Sequence, residues 1–250
     1  MIIHRDKVLL ICDSIPALGY KARKTPKKQE YELVRGFVDR YISSLKPGRY
    51  KIAIFFEPMV DSGYPDIVII KYSTDADIVW QPHGGKLTNR HYKVLSAVDQ
   101  KGRIGVTDLA SLLGYEEKDL RTILNRLSKE GLVIKHGEVI HRRKYADYYS
   151  IHSIITVEAK VNKWAEAIDQ ALINTRFSTE SYVLMDTDRC SDAMRERCES
   201  LGIGIFLSAN NRTKRYLQAE KRRKTSSYIP YLFNEWILRI ERSEASDVTE

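Results

Sequence analysis

What these 250 residues hold little of narrows the field first. Three cysteines (Cys12, Cys190, Cys198), an odd number with no CxxC pair, argue against a disulfide framework and against a cysteine zinc site. No apolar run approaches the ~18 residues that a membrane-spanning helix needs, and Val8 to Cys12 is too short for a signal-peptide core. The expected address is therefore the cytoplasm, with no membrane partner. The six histidines (His4, His83, His91, His136, His141, His152) show no HExxH or other zinc spacing. Neither GxxxxGK[ST] nor GxGxxG occurs, so no nucleotide cofactor and no ATP-driven motor is expected. Gly202-Ile203-Gly204 reads as tight packing at a helix-to-strand turn rather than as a phosphate approach. Seven prolines and 13 glycines form no tract, and 43% hydrophobic with 30% charged residues is a globular composition. The length suits one large domain or two small ones.

Basic charge is what the sequence has. The balance of 41 Lys and Arg against 33 Asp and Glu leaves +8, which favours an anionic partner. Between Lys86 and Lys144 lie 13 basic and 7 acidic residues, a surplus of six in under a quarter of the chain. Two further basic runs occupy Lys21 to Lys28 and Arg212 to Lys224, so the remainder is net acidic. A run of this kind serves either as a solvated face or as a phosphate-binding surface.

The basic middle has a pattern of its own. After the breaker cluster Gln81-Pro82-His83-Gly84-Gly85, Tyr92, Leu95 and Val98 predict a helix ending at Lys101-Gly102. Thr107 then reads as the N-cap of a helix over 108–113 ended by Gly114. A third helix over 116–130 is stopped by Gly131, with Leu120, Ile123, Leu124 and Leu127 as its apolar stripe. Leu132 to His141 predicts a hairpin, followed by Arg142-Arg143-Lys144. These elements resemble a winged helix-turn-helix domain over residues 86–145. The resemblance implies that the third helix offers Lys118, Arg121, Thr122, Asn125, Arg126 and Lys129 to DNA, while Arg142, Arg143 and Lys144 of the wing meet phosphates. Such a module also docks protein.

The flanks, 1–85 and 146–250, read as one α/β core cut in two. Residues 30–45 predict a helix with Leu33, Val34, Phe37, Val38, Tyr41 and Ile42 inward and Lys46-Pro47-Gly48 as its stop; strands follow at 50–56 and 66–72, separated by the turn-rich 58–65. After the insertion come a strand at 151–157, a helix at 161–175 with Trp164, Ile168, Ala171 and Leu172 inward, a strand at 182–186, a helix at 191–201, a strand at 203–207 and a closing helix at 228–240. The order is αβββαβαβ, a sheet with helices on its faces.

Chemistry gathers on two of those strands. Asp66 opens one behind Pro65, and Glu158-Ala159-Lys160 ends another. Alternation along a strand puts Glu158 and Lys160 on one face. If the two strands are neighbours, Asp66 and Glu158 converge as hard oxygen ligands for a divalent cation. The cation then offsets phosphate charge and activates water, and a lysine orients that water or stabilises developing negative charge. Elsewhere Glu-x-Lys carries little information, and Glu116-Glu117-Lys118 is a second copy at a helix start.

Pro65-Asp66 with Glu158-Ala159-Lys160 in this order resembles the PD-(D/E)xK nuclease superfamily, the restriction-endonuclease-like fold. The helix that follows, from Trp164 through Gln170, is similar to one that many members carry; where some have a tyrosine four residues after the glutamine, this chain has Asn174. The resemblance covers about 27–85 and 146–210. It implies an α/β αβββαβ core with a mixed sheet and Mg²⁺- or Mn²⁺-dependent cleavage of DNA, duplex above all. Asp66, Glu158, the Ala159 carbonyl and Glu30 would hold the metal, with Lys160 and Gln170 acting on the water. Glu30 is chosen because it precedes Leu33 and Phe37 on the inward face; Glu32 and Glu57 stand as alternatives. Cutting both duplex strands calls for two sites, which makes a homodimer a candidate assembly. The inserted reader is expected to lie near the cleavage site. Two rival readings remain: a DNA-binding regulator or nucleoprotein component whose nuclease-like domain does not cut, and an RNA-processing nuclease.

Overall fold

A computed structural model describes residues 2–5, 7–23, 28–46, 48–61, 63–73, 80, 85–223 and 227–247. Lys24 and Lys27 of the first basic run, Pro47 of the helix stop, Ser62 of the turn-rich stretch, 81–84 of the breaker cluster and Lys224 lie outside the described residues. The elements in chain order are β1 (Ile2–Arg5), β2 (Val8–Ile11), α1 (Lys28–Ser43), β3 (Lys51–Phe56), β4 (Ile67–Tyr72), α2 (Asn89–Lys101), β5 (Arg103–Gly105), α3 (Val106–Leu113), α4 (Glu117–Lys129), β6 (Val133–His136), β7 (Val139–Arg142), β8 (Ile151–Lys160), α5 (Trp164–Asn174), β9 (Glu180–Met185), α6 (Asp192–Leu201), β10 (Gly204–Ala209), β11 (Arg212–Leu217) and α7 (Ile229–Asp247). The fold is α/β and divides into two units, Met1–Ser73 with Ile151–Thr225 and Thr74–Ser150 with Ser226–Glu250.

The first unit is a mixed sheet in the order β1-β2-β3-β4-β8-β9-β10-β11. Its middle strands are apolar on both faces because helices cover both. On one face Leu33, Val34, Phe37 and Val38 of α1 pack on Ile54, Ile67, Val157 and Leu184. On the other, Ala167, Ile168 and Ala171 of α5 and Met194 and Cys198 of α6 pack on Val183, Met185 and Ile205. Consecutive strand residues thus feed opposite cores. α6 begins at Ser191, whose hydroxyl accepts from Met194 N at 3.3 Å, and ends at Gly202 in the left-handed region (φ 65°). Gly204 packs against the Tyr182 ring so closely that any Cβ there would overlap it, which bears out tight packing at this turn.

Several details differ from the sequence reading. β1, β2 and β11 were not foreseen, being short or buried in a charge run. Leu172 is exposed, and Ala167 takes the inward position on α5. The expected order α1-β3-β4-β8-α5-β9 is observed within this longer series.

The second unit holds α2, α3 and α4 over a three-stranded sheet in the order β5-β7-β6. Leu120, Ile123, Leu124 and Leu127 of α4 are buried, as their spacing predicts. Thr107 is not the cap of α3. The extended residue before that helix is Gly105, Val106 N is already bonded to Glu138 O at 2.9 Å, and the Thr107 hydroxyl donates to Glu117 Oε1 at 2.7 Å.

The closing helix α7 belongs to this unit, whereas the sequence reading left it in the core spanning 146–250. Asp99 of α2 accepts from Tyr148 and from Tyr231 of α7, each at 2.5 Å. Buried Asn234 accepts from Ser150 N and Oγ and donates to Tyr148 O, each at 2.8 Å. Asn234→Ala would strand those groups away from water, so it is expected to destabilise this unit by about 1–3 kcal/mol, read as a lowered midpoint in chemical denaturation.

Candidate functional site

The site lies where β4 begins and β8 ends. The antiparallel register pairs Ile67 with Val157, which brings Asp66 and Glu158, one step beyond, beside each other. Asp66 Oδ2 accepts from Ala159 N at 2.7 Å across 93 residues of chain. The two carboxyls are close enough for the Asp66 charge to raise the proton affinity of Glu158. Lys160 completes the group. Its ammonium donates to Ala159 O at 3.1 Å and lies 3.9 Å from Asp66 Oδ2 and 3.7 Å from Glu30 Oε1. Asp66, Glu158 and Lys160 are all buried.

Burial dominates the electrostatics. It raises Glu158 well above the usual carboxylate range, the neighbouring Asp66 raises it further, and the Asn174 donor and Lys160 offset part of this. Burial raises Asp66 as well, opposed first by Lys160 and then by the Ala159 N–H. Both carboxyls thus hold protons more tightly than free ones, Glu158 the more strongly.

Two further acids border the pair. Glu30, in the first turn of α1, meets Lys160 rather than the carboxyl pair, while Glu32 is exposed. Glu57, just after β3, donates its N–H to Asp66 O at 3.0 Å. Burial raises its carboxyl, Arg23 opposes this, and Asp66 and Glu30 add to it.

α5 supplies two amides one turn apart. Gln170 Oε1 is buried with no hydrogen-bond partner among the described residues. Asn174, buried, donates to Glu158 Oε1 at 2.6 Å. The sequence reading took Asn174 only as a departure from a pattern. Its signal was there: 167, 171 and 174 form one stripe, and a polar residue on a buried stripe calls for a polar partner.

The donors suit a hard cation. Mg²⁺ is commonly held by one or two carboxylates with waters completing an octahedron, and Asp66 with Glu158 supplies two. Among the described residues, no group of three or more His, Cys, Asp or Glu side chains is placed to hold a metal ion. Two members of the expected ligand set are placed otherwise: Glu30 is paired with Lys160, and the Ala159 carbonyl accepts from the same ammonium.

In the second unit the expected contact residues divide into two groups. Lys118, Thr122, Asn125 and Lys129 of α4 are exposed, as are Arg142 and Lys144. Arg121 is instead clasped by Glu117 at 3.1 Å and by Glu138 of the hairpin turn at 2.6 Å. Arg126 pairs with Glu130 at 2.7 Å, and Arg143 bonds Asp147 at 3.2 Å and Gly131 O at 3.0 Å, which ties the hairpin to the end of α4.

No family model matches the chain. Over 73 residues, 29% of its length, the chain is 26% identical to an uncharacterized HTH-type transcriptional regulator, YugG of Bacillus subtilis (strain 168). The stretch spans 44% of that protein. No helix among the described residues is long and apolar enough to cross a membrane.

Proposed function

We propose that this chain is a Mg²⁺-dependent nuclease of the PD-(D/E)xK type that hydrolyses DNA phosphodiester bonds, with a winged-helix unit that binds the DNA. The observation that carries the reading is the meeting of Asp66 with Glu158 and Lys160 at adjacent strand ends, which brings two buried carboxyls and an ammonium together. Asp66 and Glu158 would hold the cation, which supplies charge neutralisation at the phosphate and a more acidic water. Asn174 fixes the rotamer of Glu158 through Oε1. Lys160 sits where its ammonium can orient the attacking water and stabilise charge developing on the phosphate oxygens. Gln170, whose carbonyl oxygen has no partner among the described residues, is an acceptor for that water.

The similarity of part of the chain to an HTH-type regulator, and the exposed cations Lys118, Lys129, Arg142 and Lys144 of the second unit, support DNA binding. A second reading, DNA binding without cleavage, is favoured by one observation: the Lys160 ammonium is already engaged by Ala159 O and two carboxylates.

Plasmid and short duplex substrates decide between them. Cleavage is expected with Mg²⁺ or Mn²⁺ and should fall to background in EDTA and in Asp66→Ala. Salt-sensitive binding with no cut under any divalent metal would leave the binding protein alone. Preference for RNA over DNA would move the activity to RNA processing.

A further inference from the structure

Arg23 belongs to one of the basic runs that the site above leaves unused. The segment before it is fixed: Ala22 bridges Pro58 and bonds Ser14 Oγ through its N–H at 2.8 Å, and Met59 N donates to Lys21 O at 2.8 Å. Arg23 N then donates to Glu57 O at 3.2 Å, and Glu57 N donates to Asp66 O. Arg23, Glu57 and Asp66 therefore stand side by side on three adjoining backbones.

Their side chains follow the same order. Arg23 Nε lies 3.3 Å from Glu57 Oε2, and its guanidinium carbon lies 5.0 Å from the centre of the Tyr64 ring. That contact leaves Glu57 Oε2 buried without a well-aligned hydrogen bond. The backbone of Glu57 is in the left-handed region at φ +43°, uncommon for a residue with a side chain and a feature that concentrates at functional sites. Arg23 itself is 43% exposed, and its terminal nitrogens bond no described residue. Its charge nevertheless acts on Asp66. A planar fork, stacked on an aromatic ring, beside a carboxylate and with outer donors that bond no described residue, is a geometry that suits phosphate oxygens.

We propose that Arg23 is a phosphate clamp of this site, gripping the non-bridging oxygens of a nucleic-acid strand beside Asp66, with Glu57 as the residue that positions it. The clamp rests on the nuclease reading for its role, but its contact with a phosphodiester is measurable without cleavage.

The test uses the full chain with Arg23→Ala, Arg23→Lys and Glu57→Gln, and labelled duplex and single-stranded DNA in metal-free buffer and in Ca²⁺, titrated with salt. Arg23→Ala is expected to weaken binding about 10-fold and to lower the slope of log K against log salt by about one. Arg23→Lys should keep the slope, having kept the charge, while losing part of the affinity with the fork. Glu57→Gln should keep the slope and weaken binding, since the charge remains but is less well aimed. If Arg23→Ala binds like wild type at every salt concentration, or if Arg23→Lys, still folded by its melting curve, loses the slope as Arg23→Ala does, the clamp is wrong. A wild type that cuts nothing while Arg23→Ala still loses the slope would end the nuclease reading and keep the clamp.

Discussion

Lys160→Ala is expected to reduce Mg²⁺-dependent cleavage by on the order of 10²- to 10⁴-fold while leaving DNA binding within a few-fold of wild type. The expectation follows from where the ammonium sits. It is buried at the end of β8, 3.9 Å from Asp66 Oδ2 and 3.7 Å from Glu30 Oε1. Its loss removes charge stabilisation that matters only as the phosphate develops negative charge, so kcat should fall and KM should change little. Arg23→Ala should do the reverse and act on binding. Single-turnover cleavage of a duplex, compared with its equilibrium binding in Ca²⁺, separates the two. Cleavage by Lys160→Ala within threefold of wild type would remove Lys160 from the chemistry.

Why so much of this site was legible from residue types is a matter of register. Asp66 follows a proline at the head of an apolar strand, and Glu158 and Lys160 close another, so their meeting required only that β4 and β8 be neighbours. The antiparallel pairing of Ile67 with Val157 supplies that. Helix stripes were equally readable where burial alone decides, as for Leu120 to Leu127 of α4 or Leu33 to Val38 of α1.

What escaped depends on partners far off in the chain. Glu30 was chosen for its helical face, and it does face inward, yet a sequence cannot state that Lys160 rather than a carboxyl pair would be its partner. Arg121 looked like a free fork for DNA bases. Glu117, one helical turn earlier, was in view, but Glu138 joins only after the hairpin folds back on α4. Asn174 and Glu57 look ordinary until Glu158 and Asp66 stand beside them. The placement of α7 with the second unit rests on Asp99 and Asn234, single polar residues whose reach no periodicity encodes.

Glu158→Gln carries the other large expectation, with two effects of opposite sign. Glu158 is buried beside Asp66, and both causes raise its proton affinity in the folded chain. In the unfolded chain it ionises near pH 4.3, the ordinary glutamate value. Between that pH and its raised folded value the native state binds a proton that the unfolded state has released. Native stability is therefore fully present below about pH 4.3 and is lost as pH rises through the folded pKa. Glutamine keeps the shape and an oxygen acceptor for Asn174 Nδ2, without the titration. In metal-free buffer at pH 8 the variant should be more stable than wild type by about 1–3 kcal/mol, which at roughly 2–4 °C per kcal/mol is a rise of several degrees in Tm. The advantage should shrink on acidification and vanish near pH 4. Mg²⁺ reverses the comparison: a cation that binds only the folded pair raises the wild-type Tm in proportion to ln[Mg²⁺] and leaves the variant nearly unmoved, and cleavage by the variant should be lost. Such a gain from neutralising a buried acid marks a residue kept for chemistry at the expense of stability. Equal melting of the two proteins at pH 8, with equal response to Mg²⁺, would make Glu158 an ordinary interior hydrogen-bond acceptor and leave Asp66 without its partner at the metal.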